Sequence, residues 1–368
     1  MKLYPLSVAI IAVASCLLLA CTSRHEESNI FVDPDLVRIA DYQDKRATDS
    51  LLPYLTHENA LYRERAAFAF ASVQDSAAVG VLTRCLHDPV SSVRKAAALA
   101  LGQTSSSLAG DALATSFLTE KDSATLQTML EGYGKQKSAS LAAATAYADQ
   151  PGFAWMLYRM ALAGNTDSTV TTWAVRCLQP GKPEAMRLGA AHFFARTRAV
   201  IDSARNVLLQ SCTDPLPEVR MASVLALRKI KGEQVLAALK NLAEQEQDYR
   251  VRVSIVRALQ PVPLDQSRSI LLPMLKDANV NVGIAVSELI QTAITKGTAD
   301  AVWEAAQQID NVRIKANLYG TVLATTQDPA VAQQIQQACQ AATNAYDQAS
   351  WLAALSAFPP LRIVATSC

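Results

Sequence analysis

The stretch Asp88-Pro-Val-Ser-Ser-Val-Arg-Lys-Ala-Ala-Ala-Leu-Ala-Leu-Gly102 decides how the whole chain is read. Asp-Pro opens a turn, because proline cannot continue a preceding helix but suits a first helical turn. From Val93 the apolar side chains fall at i, i+3, i+4, i+7 and i+8: Val93, Ala96, Ala97, Ala100 and Leu101. That is one stripe of a helix of period 3.6. Small residues in the middle of the stripe let a second helix backbone approach, and the large one at its end fills the remaining gap.

The chain keeps rewriting this stretch. Asp214-Pro-Leu-Pro-Glu-Val-Arg-Met-Ala-Ser-Val-Leu-Ala-Leu227 is nearly a copy. The Arg94 slot recurs at Arg63, Leu126, Met156, Arg187, Arg220, Arg252, Gly283, Lys315 and Trp351. Successive steps from Arg63 are 31, 32, 30, 31, 33, 32, 31, 32 and 36 residues. A period near 30 marks a stacked repeat, so length does not count separate domains. Before each amphipathic helix lies a shorter apolar one, as in Val81-Leu82…Cys85-Leu86, which makes the unit a helical hairpin. Gly102 and Gly232 are expected at or past the ends of second helices, in left-handed caps. The copies between Thr119 and Gly181 are the most worn. Their stripes are expected at Thr125, Thr128, Met129, Gly132, Tyr133 and at Trp155, Tyr158, Arg159, Leu162, Ala163.

A turn Asp followed six residues later by Arg, then Ala-Ala-x-x-Ala-Leu, resembles the HEAT repeat. The period is similar to that of the short HEAT-like repeats first named for phycobilisome lyases. Asp88, Val93, Arg94, Ala97 and Leu101 carry the likeness, with Asp214, Val219, Arg220, Ser223 and Leu227. It implies an all-α fold, a right-handed α-α superhelix (HEAT/armadillo-like solenoid) of about ten hairpins over residues 35–358. It also implies a structural ladder of Asp88 with Arg94 and Asp214 with Arg220, with the rung missing at Gly283. Such arrays hold other proteins along a concave face. This predicts a non-catalytic scaffold or adaptor for a protein or peptide partner, with no cofactor. The chain also looks like the N-terminal array of larger HEAT-repeat bacterial lipoproteins that end in a cyclophilin-type peptidyl-prolyl isomerase domain. The alternative is therefore the accessory part of such an isomerase or foldase, with the catalytic domain absent from these residues.

The N-terminus carries an address. Met1-Lys2 is followed by an apolar run from Leu6 to Ala20 and then Cys21, the layout of a secretory signal. Leu18-Leu19-Ala20-Cys21 resembles the lipobox of bacterial lipoproteins, which implies cleavage before Cys21 and acylation of its thiol and new amine. Two or more acyl chains anchor stably where one does not. The competing readings are a non-lipidated signal peptide and an uncleaved anchor. Thr22 after the Cys, with no Asp there, favours the outer membrane by the lipoprotein sorting pattern. Residues 1–20 are thus read as signal peptide, 21–34 as lipidated Cys and tether, and 359–368 as a short tail.

A search for chemistry returns none. The four His have no metal-ligand spacing, and no phosphate loop or nucleophile elbow is present. Metal, small-molecule substrate and nucleic acid are not expected, the last because net charge is only +1 and the chain is exported. Cys85, Cys177, Cys212 and Cys339 each fall late in a helix beside Leu or Ala, as small core residues do. Charge is uneven, however. Residues 182–257 hold 13 Lys and Arg against 8 Asp and Glu. Arg187, Arg196, Arg198, Arg228, Lys229, Arg252 and Arg257 are accordingly candidates for contacting an acidic partner. Arg220 lies in the same window as a ladder residue. Trp155, Tyr158, Trp173, Trp303 and Trp351 are candidate exposed aromatics of the kind found at binding hot spots.

Overall fold

The structure, a computed structural model, describes residues 32–198 and 202–356. The lipobox with Cys21 and the tail 359–368 lie outside the described residues. Helices follow one another in pairs. In unit one, residues 1–125, α1 (Pro34–Asp44), α2 (Thr48–Leu51), α3 (Ala60–Val73), α4 (Val79–Cys85), α5 (Ser91–Gln103) and α6 (Ser107–Ser116) lead into α7 (Ser123–Gly134). Unit two, residues 126–368, holds most of α7. It continues with α8 (Leu141–Ala144), α9 (Pro151–Leu162), α10 (Ser168–Cys177), α11 (Glu184–Arg196), α12 (Arg205–Ser211), α13 (Pro217–Leu227) and α14 (Glu233–Gln245). Then come α15 (Tyr249–Ala258), α16 (Leu264–Met274), α17 (Val280–Ala293), α18 (Ala299–Gln307), α19 (Val312–Thr326), α20 (Pro329–Ala341) and α21 (Ala345–Leu355). No strand occurs among the described residues.

The odd-numbered helices from α3 to α21 each carry one of the ten recurring slots, and they form the inner stack of each unit. In unit one α3 packs between α1 and α5. In unit two α9, α11, α13, α15, α17, α19 and α21 pack each on the next, and α10, α12, α16, α18 and α20 each pack on the odd helix that follows. The fold is an all-α solenoid of helical hairpins. The stripe explains the packing: Val93, Ala96, Ala97, Ala100 and Leu101 are all buried, as are Val219, Ala222, Ser223, Ala226 and Leu227. A hairpin buries too little alone, so each inner helix completes its core against the helices before and after it.

Side chains start many of these helices. Asn59, Asp248 and Asn279 each accept from the backbone N–H two residues on, and Asn311 accepts from Ile314 N. Each satisfies a donor that the first helical turn leaves unpaired.

Three expectations need correction. In α9 the buried stripe is Phe153, Met156, Leu157, Met160 and Ala161, two residues out of phase with Trp155-Tyr158-Arg159-Leu162-Ala163. Trp155 and Tyr158 are only half-buried, and Leu162 and Ala163 are exposed. Two adjacent apolar stripes fit that sequence, and the one rich in Met and Phe takes the core. Gly102 lies in the last turn of α5 and Gly232 past the end of α13, as expected, but neither is a left-handed helix cap: Gly102 has no positive φ and Gly232, at φ +136°, leads into α14; the left-handed caps after α3 and α19 are Gln74 and Gln327. The ladder pairing is the third correction. The four expected core cysteines, Cys85, Cys177, Cys212 and Cys339, are all buried free thiols.

Candidate functional site

The ladder runs between hairpins, not within them. Arg63 Nε and Nη2 donate to the two carboxylate oxygens of Asp88 at 2.7 and 3.0 Å. Arg94 makes the same fork to Glu120 at 2.8 and 2.9 Å. In unit two Arg187 forks to Asp214, Arg220 to Glu246 and Arg252 to Asp277. The third arm of each guanidinium holds its own turn: Arg94 Nη1 donates to the Asp88 carbonyl at 2.9 Å and Arg220 Nη1 to the Asp214 carbonyl at 2.8 Å. So Asp88 meets Arg94, and Asp214 meets Arg220, only through a backbone carbonyl. Each acid also accepts from the N–H two residues on, as Asp214 does from Leu216 and Glu246 from Asp248. Arg187, Asp214, Arg220, Glu246, Arg252 and Asp277 thus form one continuous rail through unit two.

The rail is well shielded. The Glu120 and Glu246 side chains are 3% exposed. The fork from Arg94 holds Glu120 below the usual carboxylate range against the cost of burial. For Asp88 and Glu246 burial is the larger influence and works upward, yet the arginine fork and backbone N–H groups together still lower both. At Gly283 there is no arginine to continue the series, and a Cβ there would lie 2.7 Å from the Ile314 side chain. The sequence reading missed Glu120 and Glu246, because the turn there carries Glu-x-Asp in place of Asp-Pro. A step of 26 residues beyond the arginine would have found both.

The predicted basic patch therefore splits. Arg187 and Arg252 are rail residues, with side chains 14% exposed, so they are not available to a partner. Lys229 is half-buried, and its ammonium donates to the Phe194, Ala195 and Thr197 carbonyls. It closes the C-terminal end of α11, where carbonyls lack helical partners. Burial, with Arg228 and Arg196 nearby, lowers its pKa to about 8. Arg196, Arg198, Arg228 and Arg257 remain exposed and have no hydrogen bond or ion pair among the described residues.

Those exposed arginines border an open face. From α11 to α17 each inner helix packs on the inner helix before it and the one after it, and a further side carries residues that no described helix fully covers. On α13 the partly exposed residues Glu218, Met221, Leu225 and Arg228 recur every three or four positions, one helical face. The equivalent sets are Leu188, His192 and Arg196 on α11, Arg250, Val253 and Arg257 on α15, and Ile284 and Glu288 on α17. With Trp155 of α9, a half-buried apolar row runs Trp155, Leu188, Met221, Val253, Ile284 across five helices.

At one end of this row sits an aromatic cluster. The Trp155 ring lies 5.7 Å from His192 and 5.7 Å from Tyr158, and Tyr158 lies 5.8 Å from His192. Arg159 stands over the Tyr158 ring at 5.0 Å while paired with Glu131. Burial, then Arg196, lowers the His192 pKa, which favours the neutral imidazole. The other aromatic candidates are elsewhere: Trp351 is buried, Trp303 packs on Tyr319, and Trp173 packs on Phe153 under Arg176. Among the described residues no three His, Cys, Asp or Glu converge as a metal would require. No described helix is long and apolar enough to cross a membrane.

Comparison with known proteins supports the repeat. A search of curated proteins returns no match. Among solved structures the chain is similar to the Escherichia coli protein YibA at 15% identity, covering 77% of this chain and 96% of that one, with a TM-score of 0.49. An engineered protein follows at 17% identity, covering 67% and 97%, with a TM-score of 0.30. The family model described as HEAT repeats matches residues 48–133 and 182–260. Those two stretches contain all five rail arginines, and the worn copies lie largely between them. Over residues 48–133 and 182–260 the chain is similar to HEAT repeats, and its all-α stack of hairpins is a fold of the kind used for protein–protein interaction.

Proposed function

We propose that this protein is a non-catalytic scaffold or adaptor of the cell envelope, tethered through lipidated Cys21, that binds a protein or peptide on the open inner-helix face of unit two. One observation carries the reading. Trp155, Leu188, Met221, Val253 and Ile284 hold equivalent, half-buried positions on five successive inner helices. Apolar and aromatic side chains flanked by arginine are the composition of binding hot spots. The lipobox supports the location, with the outer membrane as the expected destination.

A photo-crosslinking amino acid at Met221 or Val253 of the membrane-anchored chain should capture a partner in intact cells. The same group at Glu244, exposed on α14, should not. Equal capture at all three positions, or at none, rejects the face as the binding site. Cys21→Ser should release the protein from the membrane fraction; retention there, with no labelled fatty acid on the wild type, rejects the anchor.

A further inference from the structure

We propose that the open face of α9 to α17 docks an acidic amphipathic helix presented by a partner protein. This rests on the scaffold reading and specifies what the scaffold holds. Three features of the face select the occupant.

The first is charge. Arg196, Arg228 and Arg257 come from α11, α13 and α15, and each is exposed without a partner among the described residues. The acidic groups on the same face of these helices are Glu184, in the first turn of α11, and Glu218, which Arg250 already neutralises at 2.9 Å. Past the first turn of α11 the free charge is all positive until Glu288 on α17. Unpaired guanidinium groups select carboxylates, which they bind in a planar fork.

The second is relief. Trp155, Leu188, Met221, Val253 and Ile284 are half-buried while the arginines project. The apolar row is thus a furrow with a raised basic border. A lipid surface needs apolar side chains that protrude into it. A furrow instead accepts the apolar stripe of another helix, leaving that helix's flank against the arginines.

The third is spacing. Arg196 follows Leu188 by eight residues, Arg228 follows Met221 by seven and Arg257 follows Val253 by four, which sets the border about 6 to 12 Å from the furrow along the helix axes, on the order of one helix diameter. Successive inner helices stand roughly 8–10 Å apart, so anchors on a crossing helix are needed about every six or seven residues. A heptad pattern of apolar residues flanked by Glu or Asp meets both demands. The aromatic cluster of Trp155, Tyr158 and His192 closes the furrow at its α9 end and offers a socket for one larger apolar side chain.

The test uses the full chain and three fluorescein-labelled synthetic helices of about 21 residues, three heptads. One has Leu at the core positions and Glu on the flanks, the second Leu with Lys, the third Ser with Glu. Anisotropy titration should show binding of the Leu–Glu probe at least about tenfold tighter than either other probe, weakening as NaCl rises from about 50 to about 500 mM. Arg196→Glu/Arg228→Glu/Arg257→Glu should weaken the Leu–Glu probe by more than about tenfold and favour the Leu–Lys probe. Leu188→Asp should weaken the Leu–Glu probe without changing its salt dependence. If the triple reversal misfolds, Arg196→Gln/Arg228→Gln/Arg257→Gln replaces it. The proposal is overturned if reversal leaves the Leu–Glu affinity within about twofold. It is also overturned if phosphatidylglycerol vesicles bind the chain in an arginine-dependent way and the probe does not. Failure of the probe with continued crosslinking from Met221 removes the acidic helix and leaves the scaffold; loss of both removes both.

Discussion

The rail makes a directional prediction that a generic salt bridge does not. Arg220 forks to Glu246 of the next turn, while its remaining arm reaches only the carbonyl of Asp214. Its side chain is 15% exposed and that of Glu246 is 3% exposed. Arg220→Met therefore leaves a buried carboxylate held only by backbone N–H groups, those of Asp248 and Gln247. Removing one partner of a buried pair costs about 3–5 kcal/mol, and the low end applies because the guanidinium keeps some water. Glu246→Leu leaves a buried guanidinium and should cost a similar amount. The double variant Arg220→Met/Glu246→Leu removes both charges and should recover about 1–3 kcal/mol of the summed loss. By contrast, Arg220→Met with Asp214→Asn should be additive to within about 0.5 kcal/mol, because no side-chain fork joins them. Repeat arrays need not unfold in one step, so urea midpoints should be accompanied by hydrogen exchange of α13 and α15 amides. A coupling energy for Arg220 with Asp214 as large as that with Glu246 would refute the inter-hairpin rail. So would an Arg220→Met cost no greater than that of the exposed control Arg228→Met.

Other consequences follow from burial and charge. Asp88, Glu120 and Glu246 have folded pKa values below their ordinary 3.8 and 4.5. Their contribution to stability is therefore complete above the ordinary values and is lost as pH falls through the lowered ones; a urea midpoint flat between pH 4 and 2 would contradict it. Gly134→Ala places a Cβ 2.5 Å from the Met156 carbonyl oxygen and should lower the midpoint of unit two. Gly80→Ala in α4 meets nothing within 4 Å and should stabilise by about 0.5–1 kcal/mol. Burial pushes the Cys85 thiol to about 11 and Cys177 and Cys212 to about 12. Mass-spectrometric mapping of maleimide labelling at pH 7 should find all three unreactive until the chain is unfolded; rapid native labelling of Cys177 would place α10 wrongly.

The repeat was legible in the sequence because packing imposes it on every copy. Val93 and Leu101 are apolar because an inner helix meets its neighbours there, and the same pair of slots recurs as Val219 and Leu227, Val251 and Leu259, and Val282 and Ile290. The phase failed in α9, where Phe153, Met156 and Met160 compete with Trp155 and Tyr158 for the core, and periodicity alone cannot choose between adjacent stripes. The arginine partners failed for a different reason. A guanidinium on a long side chain reaches the next turn about 26 residues away, and nothing local in Asp88-Pro89…Arg94 shows that its carboxylate partner is Glu120. Charge counting misjudged the patch in the same way: Arg187 and Arg252 look like Arg196 and Arg257 in sequence, yet rail residues and free residues differ only by what lies one hairpin on.

That distinction separates architecture from function in this chain. A repeated slot is fixed by its neighbours, so the residues that recur most regularly, Val93, Ala97, Leu101 and their copies with the rail arginines, are those whose contacts are already filled. The open-face position five residues after the rail slot is freed from that constraint: it reads Phe68 and Leu99 in unit one, and His192, Leu225, Arg257 and Glu288 in unit two. A position that packing leaves free can carry a different side chain in each hairpin, and a stack of such positions is a surface read one helix at a time. Each change of side chain along it alters one point of contact while the rail and the core hold its spacing. If the face binds, single substitutions at Leu225 and Arg257 should change affinity without moving the urea midpoint, whereas Val219 and Arg252 should move the midpoint first. Loss of binding only in step with loss of stability at all four positions would mean that the face has no function separate from the fold.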